Sequence, residues 1–72
     1  MGWTAYTAEQ IGDYHRRTER LDPAFAQRER EYYSTRTVAQ LEDLARQAWL
    51  CNQDCRHALA MGYLALIQAP HT

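Results

Sequence analysis

The sequence predicts an all-α fold, a small bundle of three to four short helices with a C-terminal helical hairpin. Two matches to the helix capping box begin at Thr7 and at Thr37, and each is followed by apolar residues at helical spacing. A third sign is the ten-residue run from Ala58 to Ile67, which is apolar apart from Gly62. A run this apolar must be covered on nearly every side, which places it in the core of the predicted bundle.

The composition is that of an ordinary globular domain. Apolar residues make up 46% of the 72 residues and charged residues 24%, and we expect residues 1–72 to form a single all-helical domain. Eight arginines against nine acidic residues give a net charge of −1. This balance lacks the positive excess of proteins that bind nucleic acids or anionic membranes, and it argues against both as partners.

The beginning of the chain, MGWTAYTAEQ, shows no basic segment followed by an apolar stretch, so we expect no signal peptide. The apolar run near the C-terminus is about half as long as a membrane-spanning helix. We therefore expect a cytoplasmic protein with no membrane partner.

The first helix is predicted from about Ala8 to Leu21. Its apolar side is marked by four residues at helical spacing, Ile11, Tyr14, Thr18 and Leu21. The opposite side is charged, and Asp13 is placed to pair with Arg17 one turn further on.

A second helix is predicted to begin at Pro23, because proline disfavours helical dihedrals in the preceding residue and suits the first position of a new helix. Its apolar stripe is narrow, with Phe25 and Tyr32 seven residues apart and Tyr33 beside it. We favour an end within the segment STRT at 34–37, although a merger of the two middle helices stays open.

The third helix is the clearest in the sequence. It follows Thr37, and one broad side carries Val38, Leu41, Leu44, Ala45, Ala48 and Trp49. Leu50 falls on the opposite, polar side and is predicted to be exposed. The segment NQD at 52–54 reads as a tight connection, in which Asn52 suits a left-handed conformation and Asp54 suits a helix cap.

The fourth helix is predicted from about Cys55 to Gln68, before Pro70. One side is a stripe of small residues that would let another helix approach closely, namely Cys55, Ala58, Gly62 and Ala65.

This C-terminal hairpin resembles one helix pair of the tetratricopeptide repeat. The small-residue and terminal-proline positions of that repeat are matched by Ala58, Ala65 and Pro70, at separations of seven and five residues. Trp49 stands in the preceding helix, and the resemblance covers residues 39–72. Arg46 stands where the repeat has a small residue, and Gly62 stands where it has an aromatic one. With a single copy present, the resemblance implies shared hairpin geometry rather than membership of the family.

We find no motif for catalysis or metal binding. There is no nucleophile beside a base, no carboxylate pair and no glycine-rich phosphate loop, so we expect no enzyme activity and no cofactor. Cys51, Cys55 and His57 come nearest to a metal site, but His57 points away from the side shared by the thiols and a fourth ligand is missing. We expect no metal and two buried, reduced cysteines, with a metal or redox sensor as a third functional hypothesis.

The function that these observations favour is protein binding. Four short helices hold too few bulky residues to cover the fourth helix fully, so an apolar surface should remain for association. We predict a small non-enzymatic protein that binds another protein and modulates it, as an inhibitor, regulator or assembly factor, and that forms a homodimer. The predicted partner or dimer interface consists of Trp49, Leu50, Met61, Tyr63, Leu64 and Ile67.

The alternative is a nucleic-acid-binding regulator that uses an arginine-rich face of the first two helices. Glutamates are interleaved with these arginines, which favours a solvated surface instead. The arginines of this electrostatic face are Arg16, Arg17, Arg20, Arg28 and Arg30. Chains of this length without catalytic groups are often modulators carried by phages or mobile elements. A phage or mobile-element origin is therefore a further expectation, based only on chain length and the lack of catalytic groups.

Overall fold

The computed structural model describes residues 5–68, and every regular element in that part of the chain is an α-helix. The helices are α1 (Ala8–Leu21), α2 (Pro23–Ser34), α3 (Val38–Leu50) and α4 (Asp54–Gln68). Helices α3 and α4 form the most extensive helix pair. The predicted all-α bundle with a C-terminal hairpin is confirmed, with four helices and separate middle ones. Pro70, the predicted stop after the fourth helix, lies outside the described residues.

Two of the helices begin at the predicted capping boxes. Before α1, the Thr7 hydroxyl accepts a hydrogen bond from the Gln10 backbone N–H (3.1 Å), and the Gln10 side chain accepts one from the Thr7 N–H (2.9 Å). Thr37 and Gln40 make the same two bonds before α3, at 3.2 and 2.9 Å. Each box satisfies two backbone donors that have no partner within the helix, which is why both helices begin where the sequence predicts.

The connections are short and depend on local chemistry. Asp22 alone separates α1 from α2, and its carboxylate caps α2 by accepting the Phe25 N–H at 3.1 Å. Between α3 and α4, Asn52 adopts the predicted left-handed conformation, with a φ of 57°. Helix α4 begins at Asp54, one residue earlier than predicted, because the Gln53 carbonyl already accepts the helical bond from His57 N–H.

The core lies where α4 meets the other helices. Leu41 of α3 and Leu59 of α4 are fully buried there, and the burial of each side chain contributes roughly 1.5–3 kcal/mol. Helix α4 is buried or half-buried from His57 to Leu64, whereas residues 65–68 are exposed. Residues 54–56 are exposed as well, so the rest of the chain covers the middle of α4 and leaves its first and last turns open.

Helix α2 turns a different face to the core from the one predicted. Phe25 and Tyr32 are 40% and 44% exposed, while Ala26 and Tyr33, each one position further along, are 0% and 4% exposed. Both pairs are seven residues apart, so their spacing does not distinguish them. Packing does: Tyr33 stacks on Tyr63 of α4, with ring centroids 5.4 Å apart and planes 7° from parallel.

Helix α1 buries Ile11, as predicted, but departs from the sequence prediction at two positions. Leu21 is 87% exposed and is the last residue of α1, directly before the one-residue corner. Asp13 pairs with Arg16, three residues on, rather than with Arg17. Both spacings bring side chains together on a helix surface, so the sequence alone does not select between them.

The segment before α1 crosses α4 at Gly62. The Tyr6 N–H donates to the Ala58 carbonyl at 3.1 Å. A Cβ atom at Gly62 would lie 2.7 Å from the Tyr6 carbonyl oxygen and 3.0 Å from the Ile11 side chain. The stripe of small residues thus admits a close approach, as predicted, but here the approaching element is a non-helical segment rather than another helix.

Candidate protein-binding surfaces

The first candidate surface is a groove of about 530 Å³ between α3 and α4, which we term the α3–α4 groove. It is lined by Ala5, Glu42, Ala45, Arg46, Trp49, His57, Met61, Leu64, Ala65 and Gln68. Its only acidic and arginine side chains are Glu42 and Arg46, one turn apart on α3. Trp49 stands at the groove with 49% of its surface exposed, and its ring lies 5.2 Å from that of His57. The groove is mainly apolar and open to a partner.

The second candidate surface is a groove of about 420 Å³, which we term the α2–α3 groove. It is lined by Phe25, Arg28, Glu29, Tyr32, Tyr33, Leu44, Gln47, Ala48, Cys51, Gln53 and Arg56. Its half-exposed aromatic side chains are Phe25 and Tyr32, and the Arg36 guanidinium lies over the Tyr32 ring at 4.6 Å. The single carboxylate in the lining, Glu29, accepts a hydrogen bond from the Tyr14 hydroxyl at 2.8 Å. The lining also includes Arg28 and Arg56. The groove therefore carries two positive charges and one negative charge, and the negative one is already hydrogen-bonded.

The two grooves lie on opposite sides of α3. Residues of an α-helix advance by about 100° each, so positions 42, 45, 46 and 49 are centred roughly 160° away from positions 44, 47, 48 and 51. A protein bound in one groove therefore leaves the other groove accessible.

The structure brings together three of the six predicted interface residues. Trp49, Met61 and Leu64 all line the α3–α4 groove. Met61 is half-buried, and Leu64 is only 6% exposed because it lies at the floor of the groove, within the core cluster. The expectation that Leu64 stands on an open surface is wrong.

The other three predicted interface residues lie elsewhere. Tyr63 faces α1 and α2, where it is hydrogen-bonded to His15 and stacked on Tyr33. Leu50 and Ile67 are exposed, at 73% and 45%, but neither lines a groove. They also belong to opposite ends of the hairpin, since Leu50 precedes the connection and Ile67 is near the end of α4. The six residues do not form one face, and their part in binding stays a prediction.

The five arginines of the alternative prediction are all exposed but are not gathered on one face. Arg28 lines the α2–α3 groove, whereas Arg30 lies about 200° further round the same helix. Arg16 is paired with Asp13 on α1. The predicted electrostatic face is therefore divided between different sides of the molecule.

His15 lies in a polar cluster that sequence analysis missed. The ring is 4% exposed, and its Nε2 lies 2.8 Å from the Tyr63 hydroxyl oxygen. Its Nδ1 is buried and has no hydrogen-bond partner in the described part of the chain. Since a buried N–H without an acceptor costs more than a lone pair without a donor, we assign the proton to Nε2, which donates to Tyr63. One signal in the sequence did indicate this burial. His15 follows the buried Ile11 by four residues and therefore lies on the same side of α1.

Aromatic rings extend this cluster between the helices. The rings of Tyr14 and His15 are 5.4 Å apart, and Tyr33 stacks on Tyr63. Burial raises the pKa of Tyr33 to about 12. Burial, together with the hydrogen bond to Glu29, also raises the pKa of Tyr14 to about 12. Both hydroxyls therefore stay protonated near neutral pH, which suits them to packing and hydrogen bonding.

Both cysteines are free and exposed, so the prediction that they are buried is wrong. Cys51 caps the end of α3 and lines the α2–α3 groove, whereas Cys55 lies in the first turn of α4 with its Sγ 3.6 Å from the Tyr6 hydroxyl. They flank a hairpin connection, and connections run over the surface. Among residues 5–68, no three His, Cys, Asp or Glu side chains are placed to hold a metal ion.

The described residues that line the two grooves do not pair a hydroxyl or thiol nucleophile with a histidine base. The α2–α3 groove has Cys51 and no histidine, and the α3–α4 groove has His57 and no serine, threonine or cysteine. Within residues 5–68, no helix combines the length and apolar character needed to cross a membrane. A scan against family models and searches of curated proteins and of solved structures each found no match to this chain.

Proposed function

We propose that this chain is a non-enzymatic protein that binds another protein and modulates it, as an inhibitor, regulator or assembly factor, and that it works as a homodimer. The observation that carries the proposal is the presence of two mainly apolar grooves on opposite sides of α3. One groove is available for a second copy of the chain and the other for the regulated protein.

The α2–α3 groove is the one that suits a different protein. Phe25 and Tyr32 offer half-exposed aromatic surface, and Arg28 and Arg56 offer planar cations that bind carboxylates with two hydrogen bonds. Aromatic and arginine side chains contribute most of the binding energy at many interfaces. The partner segment should therefore carry an apolar side chain flanked by Asp or Glu.

A cytoplasmic location is part of the proposal. It is supported by the two exposed thiols, which are unpaired as expected for a reducing compartment.

The proposal is tested in two steps. Proteins that bind this chain are captured from an extract of the source organism, and the affinity of each purified candidate for the chain is then measured. Arg56→Glu should weaken binding of the true partner by at least about tenfold, because it replaces a cation of the groove with a carboxylate. Arg17→Glu is the matched control, since it makes the same change of charge on an exposed position outside both grooves. Binding that is equally strong in both variants would contradict the assignment.

The two thiols allow a second, direct readout. Cys51 lines the α2–α3 groove and Cys55 does not. In Cys55→Ser, the bound partner should slow alkylation of Cys51, whereas in Cys51→Ser the alkylation of Cys55 should be unchanged. An unaltered rate at Cys51 in the complex would place the partner elsewhere.

A further inference from the structure

We propose that a second copy of the chain packs its α3–α4 groove against the same groove of this copy. The two copies are related by a two-fold axis that runs perpendicular to α3, on the side of the α3–α4 groove and at the level of position 44 along the helix. The proposal rests on the homodimer of the proposed function and adds where the second copy lies. In a two-fold interface each residue contacts its complement on the other copy, so the groove must be complementary to itself. Two features of the groove have this property.

The first feature is charge. Glu42 and Arg46, the two oppositely charged side chains of the lining, are four residues apart on α3. If two α3 helices face each other antiparallel about an axis at position 44, Glu42 of each copy meets Arg46 of the other copy. Arg46 also lies 3.6 Å from Asp43 of its own helix, in an exposed ion pair. In the dimer each Arg46 guanidinium would therefore lie between Asp43 of its own copy and Glu42 of the other copy.

The second feature is size. Met61 and Ala65 are also four residues apart, on the α4 wall of the groove. Because the connection between α3 and α4 is short and the rings of Trp49 and His57 are in contact, position 44 of α3 lies near the level of positions 60–62 of α4. The midpoint of Met61 and Ala65 is position 63, within about one helical turn of that level. The same axis therefore brings the α4 walls of the two copies together, with Met61 and Ala65 near the centre of the contact.

A second copy would also cover exposed surface at this groove. Trp49 is 49% exposed there, and Ala65 on the α4 wall is exposed as well. Burial of such surface between two copies favours association.

The experiment is a charge-swap series followed by sedimentation velocity over a range of protein concentrations. We expect the wild-type chain to dimerise, and Glu42→Arg or Arg46→Glu to raise the dissociation constant at least about tenfold, because each places like charges opposite each other. The double variant, Glu42→Arg with Arg46→Glu, should restore the dimer. Glu19→Arg, an exposed position on α1 outside both grooves, carries the same charge change as Glu42→Arg and should leave the dimer intact.

A wild-type chain that stays monomeric at all concentrations would overturn the inference. A dimer that is insensitive to both single swaps, or that the double swap does not restore, would overturn it equally. Circular dichroism on each variant shows that the helices are retained. Loss of the dimer would leave partner binding in the α2–α3 groove standing, because Arg56 and Cys51 report on that binding independently of the swapped residues.

Discussion

His15 places a titratable ring in the buried polar cluster between the helices. Its Nε2 is bonded to Tyr63, while its Nδ1 has no partner in the described part of the chain. Burial lowers the pKa of His15, and the positive charge of Arg30 lowers it further, against an opposing effect of Glu29. Protonation would add an N–H group and a charge where the structure offers no acceptor, so the folded state favours the neutral ring.

We expect the protein to lose stability as the pH falls below 6.5, the ordinary pKa of the ring. Because the folded pKa of His15 is lower than the unfolded one, the unfolded chain binds the proton first. The contribution is fully present above pH 6.5 and is lost as the pH falls through the folded pKa, with a slope of up to about 1.4 kcal/mol per pH unit. Urea unfolding at a series of pH values measures this slope. His15→Gln, which does not titrate, should show a shallower one, and equal slopes would contradict the assignment.

At the level of the elements, the segment before α1 crosses α4 at Gly62, and this crossing explains why a glycine occupies that position. Glycine is unfavourable within a helix by about 1 kcal/mol relative to alanine, so its presence in the middle of α4 calls for a reason. The reason is steric, because the Tyr6 carbonyl lies where a Cβ atom would be. Backbone atoms that are hydrogen-bonded to α4 do not move aside easily, and the Tyr6 N–H is bonded to Ala58.

We expect Gly62→Ala to destabilise the fold by about 1–3 kcal/mol, because the overlap outweighs the gain in helix propensity. Gly12→Ala is the matched control within α1. A Cβ atom there would lie 3.4 Å from the end of the flexible Arg16 side chain, so this variant should be more stable than the wild type by up to about 1 kcal/mol. Urea unfolding measures both changes. A stabilised Gly62→Ala would show that the segment does not cross α4 at this point.

At the scale of the whole molecule, the small size of the chain makes its stability sensitive to association. A domain of 72 residues buries a smaller fraction of its surface than a larger one, so its core offsets chain entropy only narrowly. The described residues form a flat molecule, with extents of 35, 32 and 20 Å. A second copy placed on the α3–α4 groove would thicken it and cover the half-exposed Trp49.

The proposed dimer predicts a melting temperature that depends on protein concentration. If folded chains associate and unfolded ones do not, a hundredfold rise in concentration should raise the Tm by roughly 5–10 °C. Differential scanning calorimetry at several concentrations measures this shift. The Glu42→Arg variant, which is expected to dimerise more weakly, should melt at a lower temperature than the wild type at the concentrations where the wild type is dimeric. A concentration-independent Tm for the wild type would speak against the dimer.

The sequence by itself determined most of the helix boundaries, although it left open whether the two middle helices merge and placed the start of α4 one residue late. The capping residues Thr7 and Thr37, the proline at position 23 and the left-handed Asn52 act through hydrogen bonds and backbone dihedrals among residues that are close in the chain. These effects are present before any tertiary contact forms. The predicted fold class and the helical hairpin follow from them.

Only the tertiary structure decided which faces turn inward and which grooves remain. The seven-residue spacing fits Phe25 with Tyr32 as well as Ala26 with Tyr33, and the choice required the stacking partner on α4. The burial of Leu64, the exposure of both cysteines and the lining of the two grooves likewise depend on residues far apart in the chain. Periodicity describes one helix at a time, whereas burial and grooves are properties of packed helices.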